Sequence, residues 1–259
     1  MSKSKTISLS SIVQSLLKSK HPYRLRDLPA FVRQLKEYVG LGGKVDSLFP
    51  ILFEHRETAG SAKGHYFHQD LLVANFIHAN QPNKHLDVGS RIDGFVAHVA
   101  AFMPLDVLDV RPLHSTGHAN IQFVQADLMK DIDPDWIGKY DSISCLHAIE
   151  HFGLGRYGDP LDPQGHLKGF QNLLNLLKPG GKLYISFPIA LENAVEFNAH
   201  RKFHPADILN WPTKGQQIKL IRFDCVDDAG DLHQNILPHD PSLTYDYGCG
   251  IYTFEKVPN

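Results

Sequence analysis

Lys84-His85-Leu86-Asp87-Val88-Gly89-Ser90 is the stretch whose reading decides the fold of this chain. Leu86 to Val88 has the apolar character of a short buried strand. Gly89-Ser90 breaks it into a tight turn, and an amphipathic helix opens at Asp93-Gly94, with Phe95, Val99 and Phe102 as its buried stripe. Twenty residues beyond Gly89 a second apolar strand, residues 105–108, ends on Asp109. A third, residues 121–124, leads into Gln125-Ala126-Asp127. A carboxylate about 20 residues after a glycine turn is how nucleotide-binding sheets hold ribose hydroxyls.

Downstream, strand and helix patterns keep alternating, which predicts a parallel, doubly wound sheet. Tyr140–Leu146 reads as the fourth strand. Phe170, Leu173, Leu174 and Leu177 mark a helix stopped by Lys178-Pro179-Gly180-Gly181, and residues 182–187 form strand five. Residues 219–227 and 250–257 supply the last two strands, the final one antiparallel. The expected fold is therefore α/β: a doubly wound, Rossmann-like, seven-stranded and mostly parallel sheet with an N-terminal helical extension. Residues 1–65 make the extension and 66–259 the nucleotide-binding domain.

Upstream, Ile12, Val13, Leu16 and Leu17 share one helical face, and Leu28, Phe31, Val32, Leu35 and Val39 another. Asp27-Leu28-Pro29 is the expected start of the second helix and the Gly40–Gly43 run its stop. Asp70 is placed to cap a further helix that turns Leu71, Leu72, Phe76 and Ile77 inward. Residues 153–163, 190–212 and 228–248 do not belong to a minimal sheet. In open α/β sheets ligands bind outside the carboxyl ends of the strands, and these insertions emerge at that edge as candidate substrate lids.

A chain of 259 residues can bury a large core. A formal net charge of −2 gives no electrostatic case for nucleic-acid binding. Three cysteines, Cys145, Cys225 and Cys249, without paired spacing, fit a reducing compartment rather than a disulfide framework. No apolar run reaches the ~20 residues of a membrane span. The basic opening Met1-Ser2-Lys3-Ser4-Lys5 lacks the core of a secretory signal, so a cytoplasmic protein is expected.

The glycine turn, the acidic strand ends in order, the Gln-Ala-Asp-Leu context of Asp127 and the Leu-Lys-Pro-Gly-Gly hinge together resemble the class I S-adenosylmethionine (SAM)-dependent methyltransferases. The resemblance covers roughly residues 66–187. It implies that Asp87, Gly89 and Ser90 lie beside the methionine end of SAM. Asp109 would accept from the ribose hydroxyls, with Val110 against adenine. Asp127 would accept from the adenine amino group, and Leu128 would offer a backbone amide. Tyr66 and Gln69 occupy the position from which such proteins cover the methionine moiety, and His147 would border the cofactor. The family pattern is acidic-x-Gly-x-Gly-x-Gly, whereas this chain has Arg91 and Asp93 at the second and third glycines. Arg91 either narrows the pocket or pairs with the SAM carboxylate.

The chemistry-bearing segment is His147-Ala148-Ile149-Glu150-His151. As a bare pattern it matches inverted zinc-peptidase helices, but it begins at a strand end rather than inside a helix. It is similar to the Glu-x-x-Glu-His of ubiquinone-biosynthesis O-methyltransferases and small-RNA 2′-O-methyltransferases, whose groups bind a divalent cation. That resemblance implies a Mg²⁺, Mn²⁺ or Zn²⁺ site from Glu150, His151 and His147, with His200 or His204 adding a ligand. A bound metal lowers the pKa of an acceptor hydroxyl; without one, His151 serves as general base, oriented by Glu150. The leading expectation is a SAM-dependent methyltransferase acting on a hydroxyl of a small polar or sugar-like acceptor. The sequence leaves the oligomeric state open. Two alternatives remain: a catalytically silent methyltransferase-like scaffold, and a metal hydrolase built on His147, Glu150 and His151.

Overall fold

The structure, a computed structural model, describes residues 25–52 and 54–258, and the expected helical face of Ile12, Val13, Leu16 and Leu17 lies outside them. The chain falls into two compact units, Met1–Ser61 and Ala62–Asn259. In the first, α1 (Leu28–Gly40) carries Pro29 in its opening turn, where the missing N–H costs nothing. Leu28, Phe31, Val32 and Leu48 pack around the buried Leu52, and the Arg56 guanidinium pairs with the buried Asp27.

The second unit opens with α2 (His65–Asn80) and continues through β1 (His85–Val88), a kinked turn at Ile92–Val96 and α3 (Ala97–Ala100). Next come β2 (Leu105–Asp109), β3 (Ile121–Gln125), β4 (Tyr140–Leu146), α4 (Gly165–Leu176) and β5 (Leu177–Ile189). After them lie β6 (Ala194–Glu196), β7 (His200–Lys202), β8 (Ile218–Val226), β9 (Leu232–His233) and β10 (Gly248–Lys256). The main sheet has the order β3-β2-β1-β4-β5-β10-β8-β9, and β6 and β7 form a separate hairpin. Strands β1 to β5 pair in parallel, while β10 is inserted antiparallel between β5 and β8. Seven of these strands are the expected ones; the two-residue β9 is added at the edge. The expected α/β, mostly parallel sheet is the one observed.

Side chains alternate across the sheet. Leu183, Ile185 and Phe187 of β5 join the core beneath α4, with Phe170, Leu173 and Leu174, whereas Tyr184 joins the opposite core with Val73, Ile77, Phe95 and Val99. Polar groups inside β1 are satisfied by neighbours rather than water, as burial requires. His85 lies 2.9 Å from Ser142 Oγ and 3.0 Å from Ser144 Oγ.

Three local expectations are corrected. Asp70 is not a cap: α2 starts at His65, and Asp70 is buried within it. The inward face of α2 is Gln69, Asp70, Val73, Ala74 and Ile77, with Leu71 exposed, because two polar residues find partners inside. Phe102 is exposed, since α3 ends at Ala100 and the buried stripe is Phe95, Val96 and Val99. The Pro-Gly-Gly hinge does not precede β5 but is drawn into it, with a register shift opposite Tyr140 and Ser142.

Candidate active site at the carboxyl ends of the strands

Parallel β1, β2, β3 and β4 bring their carboxyl ends to one edge, where a cleft of about 510 Å³ is lined by Gly89, Asp109, Val110, Asp127, Leu128, Met129, His147 and His151. Gly89 has φ +72, and a Cβ there would lie 2.9 Å from the Ala148 methyl. Glycine is required here for conformation and clearance alike. The floor of the cleft therefore stays open for a flat or extended ligand.

Asp87 does not face this cleft. Its carboxylate is fully buried and accepts from Ser90 N (3.1 Å), Ser90 Oγ (2.7 Å) and Ser144 Oγ (2.6 Å). Burial pushes its pKa up to about 6, against the pull of those hydroxyl donors. Asp87 and Ser90 thus hold the turn rather than present themselves to a ligand. Gln69 is also buried, accepting from Ser186 Oγ at 2.6 Å and donating to Asp70 at 3.1 Å.

Asp109 lines the cleft, but Arg111 clasps it: Nε donates at 3.0 Å and Nη2 at 2.6 Å, with the Arg111 amide at 2.8 Å. The Arg111 guanidinium in turn lies 4.5 Å from the centre of the Tyr157 ring. Asp127 accepts from the Met129 amide at 2.9 Å, and the Leu128 carbonyl accepts from Asn172 Nδ2 at 2.8 Å. At the glycine turn, Arg91 makes a two-point pair with Asp93 (3.1 and 2.9 Å) and stands over Tyr66, 5.8 Å from its ring centre. The kink at Gly94 follows, and a Cβ there would meet Asp70 Oδ2 at 2.9 Å.

The adenosyl-type cleft opens into a polar cavity lined by Tyr66, Arg91, Arg111, His147, Glu150, His151, Arg156, Tyr157, His200 and Tyr247. At their junction His147 adopts φ +50, its amide donating to Ser186 O at 3.0 Å and lying 3.1 Å from Ser186 Oγ. His147 Nδ1 lies 2.9 Å from Glu150 Oε1, and Glu150 is fully buried, its Oε2 without a hydrogen-bond partner. Burial opposes a charge on His147, but the Cys249 sulfur and the Glu150 carboxylate outweigh it and raise its pKa well above the ordinary imidazole value.

His151 is held differently. Its Nδ1 lies 2.7 Å from the Ala199 carbonyl, which can only accept, so Nδ1 carries the proton and donates. Nε2, 3.6 Å from Glu150 Oε1, is left for chemistry. Burial, then the nearby Arg156 and His147 charges, lower its pKa, against the raising influence of Glu150 and the Ala199 carbonyl.

The expected metal ligands are only partly brought together. His147, Glu150 and His151 are neighbours, but His200 Nε2 lies 3.1 Å from Glu196, and His204 Nδ1 accepts from the Ala206 amide at 3.2 Å. Among the described residues, the group whose ligand atoms gather within 4.8 Å is His65, His147 and Cys249.

Sequence reasoning missed several contributors. Arg201, set aside as part of a short basic run, is buried and donates to the carbonyls of Glu150 (3.2 Å) and Phe152 (2.7 Å), fastening the segment after β4. Arg111 and Tyr247 carried no motif at all. His65 was read as a scattered surface or packing residue; burial, with the His147 charge, lowers its pKa to about 4.

Residues 119–209 match a family model described as Caenorhabditis protein of unknown function, DUF268. No curated protein matches the sequence. Among solved structures the chain is similar to the (4+2)-cyclase SpnF, at 15% identity over 88% of this chain and 96% of that one, with a TM-score of 0.53. It is also similar to a Galdieria sulphuraria protein assigned as a sarcosine dimethylglycine methyltransferase (15% identity, 72% and 86% of the two chains, TM-score 0.50). A third is the 1,6-didemethyltoxoflavin-N1-methyltransferase of Burkholderia thailandensis, with bound 1,6-didemethyltoxoflavin and S-adenosylhomocysteine (11% identity, 93% of each chain, TM-score 0.49). Likeness at these identities establishes the fold alone. One of the proteins is named for a cyclisation, so the reaction has to be argued from the site. The chain has the class I methyltransferase-like fold.

Proposed function

We propose that this protein is a SAM-dependent methyltransferase that transfers the methyl group to a hydroxyl of a small polar acceptor, with His151 as general base. The observation that carries the reading is the state of His151. Its ring is fixed through Nδ1, its pKa lies below the ordinary value, and it lines the adenosyl-type cleft and the polar cavity alike. A neutral imidazole whose free nitrogen borders both binding spaces is what a hydroxyl acceptor needs, since the oxygen must lose its proton to attack.

Asp109, Val110, Asp127 and Leu128 are placed to hold an adenosyl group. Each Asp109 oxygen keeps lone-pair capacity beside Arg111 and can accept from ribose hydroxyls. Bound there, SAM supplies an electrophilic methyl group. Its amino-acid end would run past Gly89 towards Tyr66, Arg91 and His147, all of which border the polar cavity. His151 Nε2 takes the hydroxyl proton, and the buried Glu150 carboxylate stabilises the imidazolium that results. Arg156, Tyr157 and His200 give the acceptor space a polar lining, which suits a sugar-like hydroxyl better than a flat aromatic.

One observation favours the silent-scaffold reading: both oxygens of Asp109 are already engaged by Arg111. Calorimetric titration with S-adenosylhomocysteine separates the two. The wild type should bind, and Asp109→Ala should bind about 10- to 100-fold more weakly, the worth of hydrogen bonds to a charged group. Identical affinities would remove Asp109 from the site, and no binding by the wild type would leave the scaffold reading standing. His151→Asn should keep the affinity while turnover on hydroxyl acceptors falls by a factor on the order of 10² to 10⁴.

A further inference from the structure

We infer that His65, His147 and Cys249 form a binding site for a single zinc ion. The three residues come from separate elements: the first turn of α2, the end of β4 and the start of β10. Their ligand atoms nevertheless lie within 4.8 Å of one another. Around a tetrahedral zinc ion such atoms sit roughly 3.5 Å apart, so small side-chain rotations close the set.

A second, independent observation points to a ligand. The His147 side chain is 4% exposed, yet its Nε2 has no hydrogen-bond partner. A buried ring nitrogen left unpaired is costly, and an ion is one way to satisfy it. The other nitrogen is already arranged for that role. Metal-bound histidines almost always donate their second N–H to a carboxylate or carbonyl, which fixes the tautomer. His147 Nδ1 lies 2.9 Å from Glu150 Oε1, an arrangement that turns the Nε2 lone pair away from Glu150. Glu150 therefore orients a ligand rather than being one.

The other two ligands are also held without being consumed. His65 is stacked between His147 (ring centres 5.2 Å apart) and Tyr247 (5.3 Å). Cys249 is fully buried, and its sulfur makes only long contacts, 3.8 Å to Gln69 Oε1 and 3.8 Å to the Gly250 carbonyl. Two imidazoles and one thiolate are a borderline-soft set that suits zinc over the oxygen-seeking Mg²⁺ and Ca²⁺. Binding would release the thiol proton of Cys249 as the sulfur coordinates. Three protein ligands leave a fourth position, which zinc fills with water or a substrate atom. His147 also lines the polar cavity, so that position is within reach of it.

The inference goes beyond the proposed methyl transfer and does not depend on what fills the adenosyl-type cleft. Metal-stripped, full-length protein is titrated with Co²⁺ as a spectroscopic probe and with Zn²⁺ by calorimetry. One equivalent of Co²⁺ should bind with a thiolate-to-cobalt charge-transfer band, and Zn²⁺ should displace it. Cys249→Ser should abolish the band. Glu150→Gln should weaken Zn²⁺ binding about 10- to 100-fold, as loss of a ligand's supporting carboxylate does, and His65→Ala by more. Three results would each overturn the assignment: no stoichiometric binding by the wild type, a band that survives Cys249→Ser, or unchanged Zn²⁺ affinity in His65→Ala. Should Cys249→Ser fail to fold, His65→Ala decides, because His65 is only partly buried.

Discussion

His85 at the start of β1 has no exposed surface, and both its ring nitrogens face serine hydroxyls. Burial lowers its pKa to about 3. The unfolded chain takes up that proton near pH 6.5. The stability tied to a neutral His85 is thus fully present above about pH 6.5 and is lost as pH falls towards 3. Asp87, two residues on, has the opposite sign. Its folded pKa of about 6 lies above the usual carboxylate value, so its contribution is present below about pH 4 and is lost as pH rises through 6. The two slopes overlap, and only a variant separates them. His85→Gln should be destabilised at pH 7.5, and its deficit relative to the wild type should shrink by about 2 kcal/mol at pH 5, at about 1.4 kcal/mol per pH unit. Urea denaturation at the two pH values reads the difference. A deficit that does not change with pH would show that His85 does not titrate as its burial demands.

At the scale of elements, the segment between β4 and α4 frames the polar cavity, and it is built on its own backbone hydrogen bonds. The Gly153 amide donates to Asp159 Oδ2 at 2.8 Å, and the Asp162 amide donates to the Gly153 carbonyl at 2.9 Å. Gly153 has φ +78, and a Cβ there would collide with the Asp162 carbonyl oxygen. Gly153→Ala should therefore cost at least the ~1–2 kcal/mol of a left-handed residue with a side chain, with the collision added. A lowered melting temperature in thermal denaturation is the expected result; an unchanged one would mean that the segment folds another way. The sequence marked this segment as a lid through Arg156 and Tyr157. The residue that anchors its two ends is Arg201 of β7, whose guanidinium reaches the carbonyls of Phe152 at 2.7 Å and Asp162 at 3.4 Å. A fork of five donors explains why a lysine would not replace it, and no local pattern could have announced that role.

For the molecule as a whole, the sheet unit holds two apolar cores of its own, one on each face of the sheet. A chain that begins at Ala62 carries every strand and both cores and is long enough to bury a stable interior. We expect such a chain to unfold in one cooperative thermal transition near that of the full-length protein. A broad or absent transition would show that residues 1–61 are needed for the sheet to fold. Among the described residues no helix is long and apolar enough to cross a membrane.

The sequence by itself determined the sheet. Strand period, glycine turns and the helix-stopping hinge are local properties of the chain, and right-handed crossovers leave little choice of topology once strands and helices alternate. Parallel strands all end at the same edge, so Asp109 and Asp127 were bound to reach one cleft from their spacing alone. What only the tertiary structure decided is how each of those groups is used. Asp87 is spent on Ser90 and Ser144, Asp109 is clasped by Arg111, and His151 is pinned by a carbonyl from the β6–β7 hairpin. The convergence of His65, His147 and Cys249 belongs to the same class. Their proximity follows from the packing of α2 against β4 and β10, and contacts between residues so distant along the chain leave no periodicity to read.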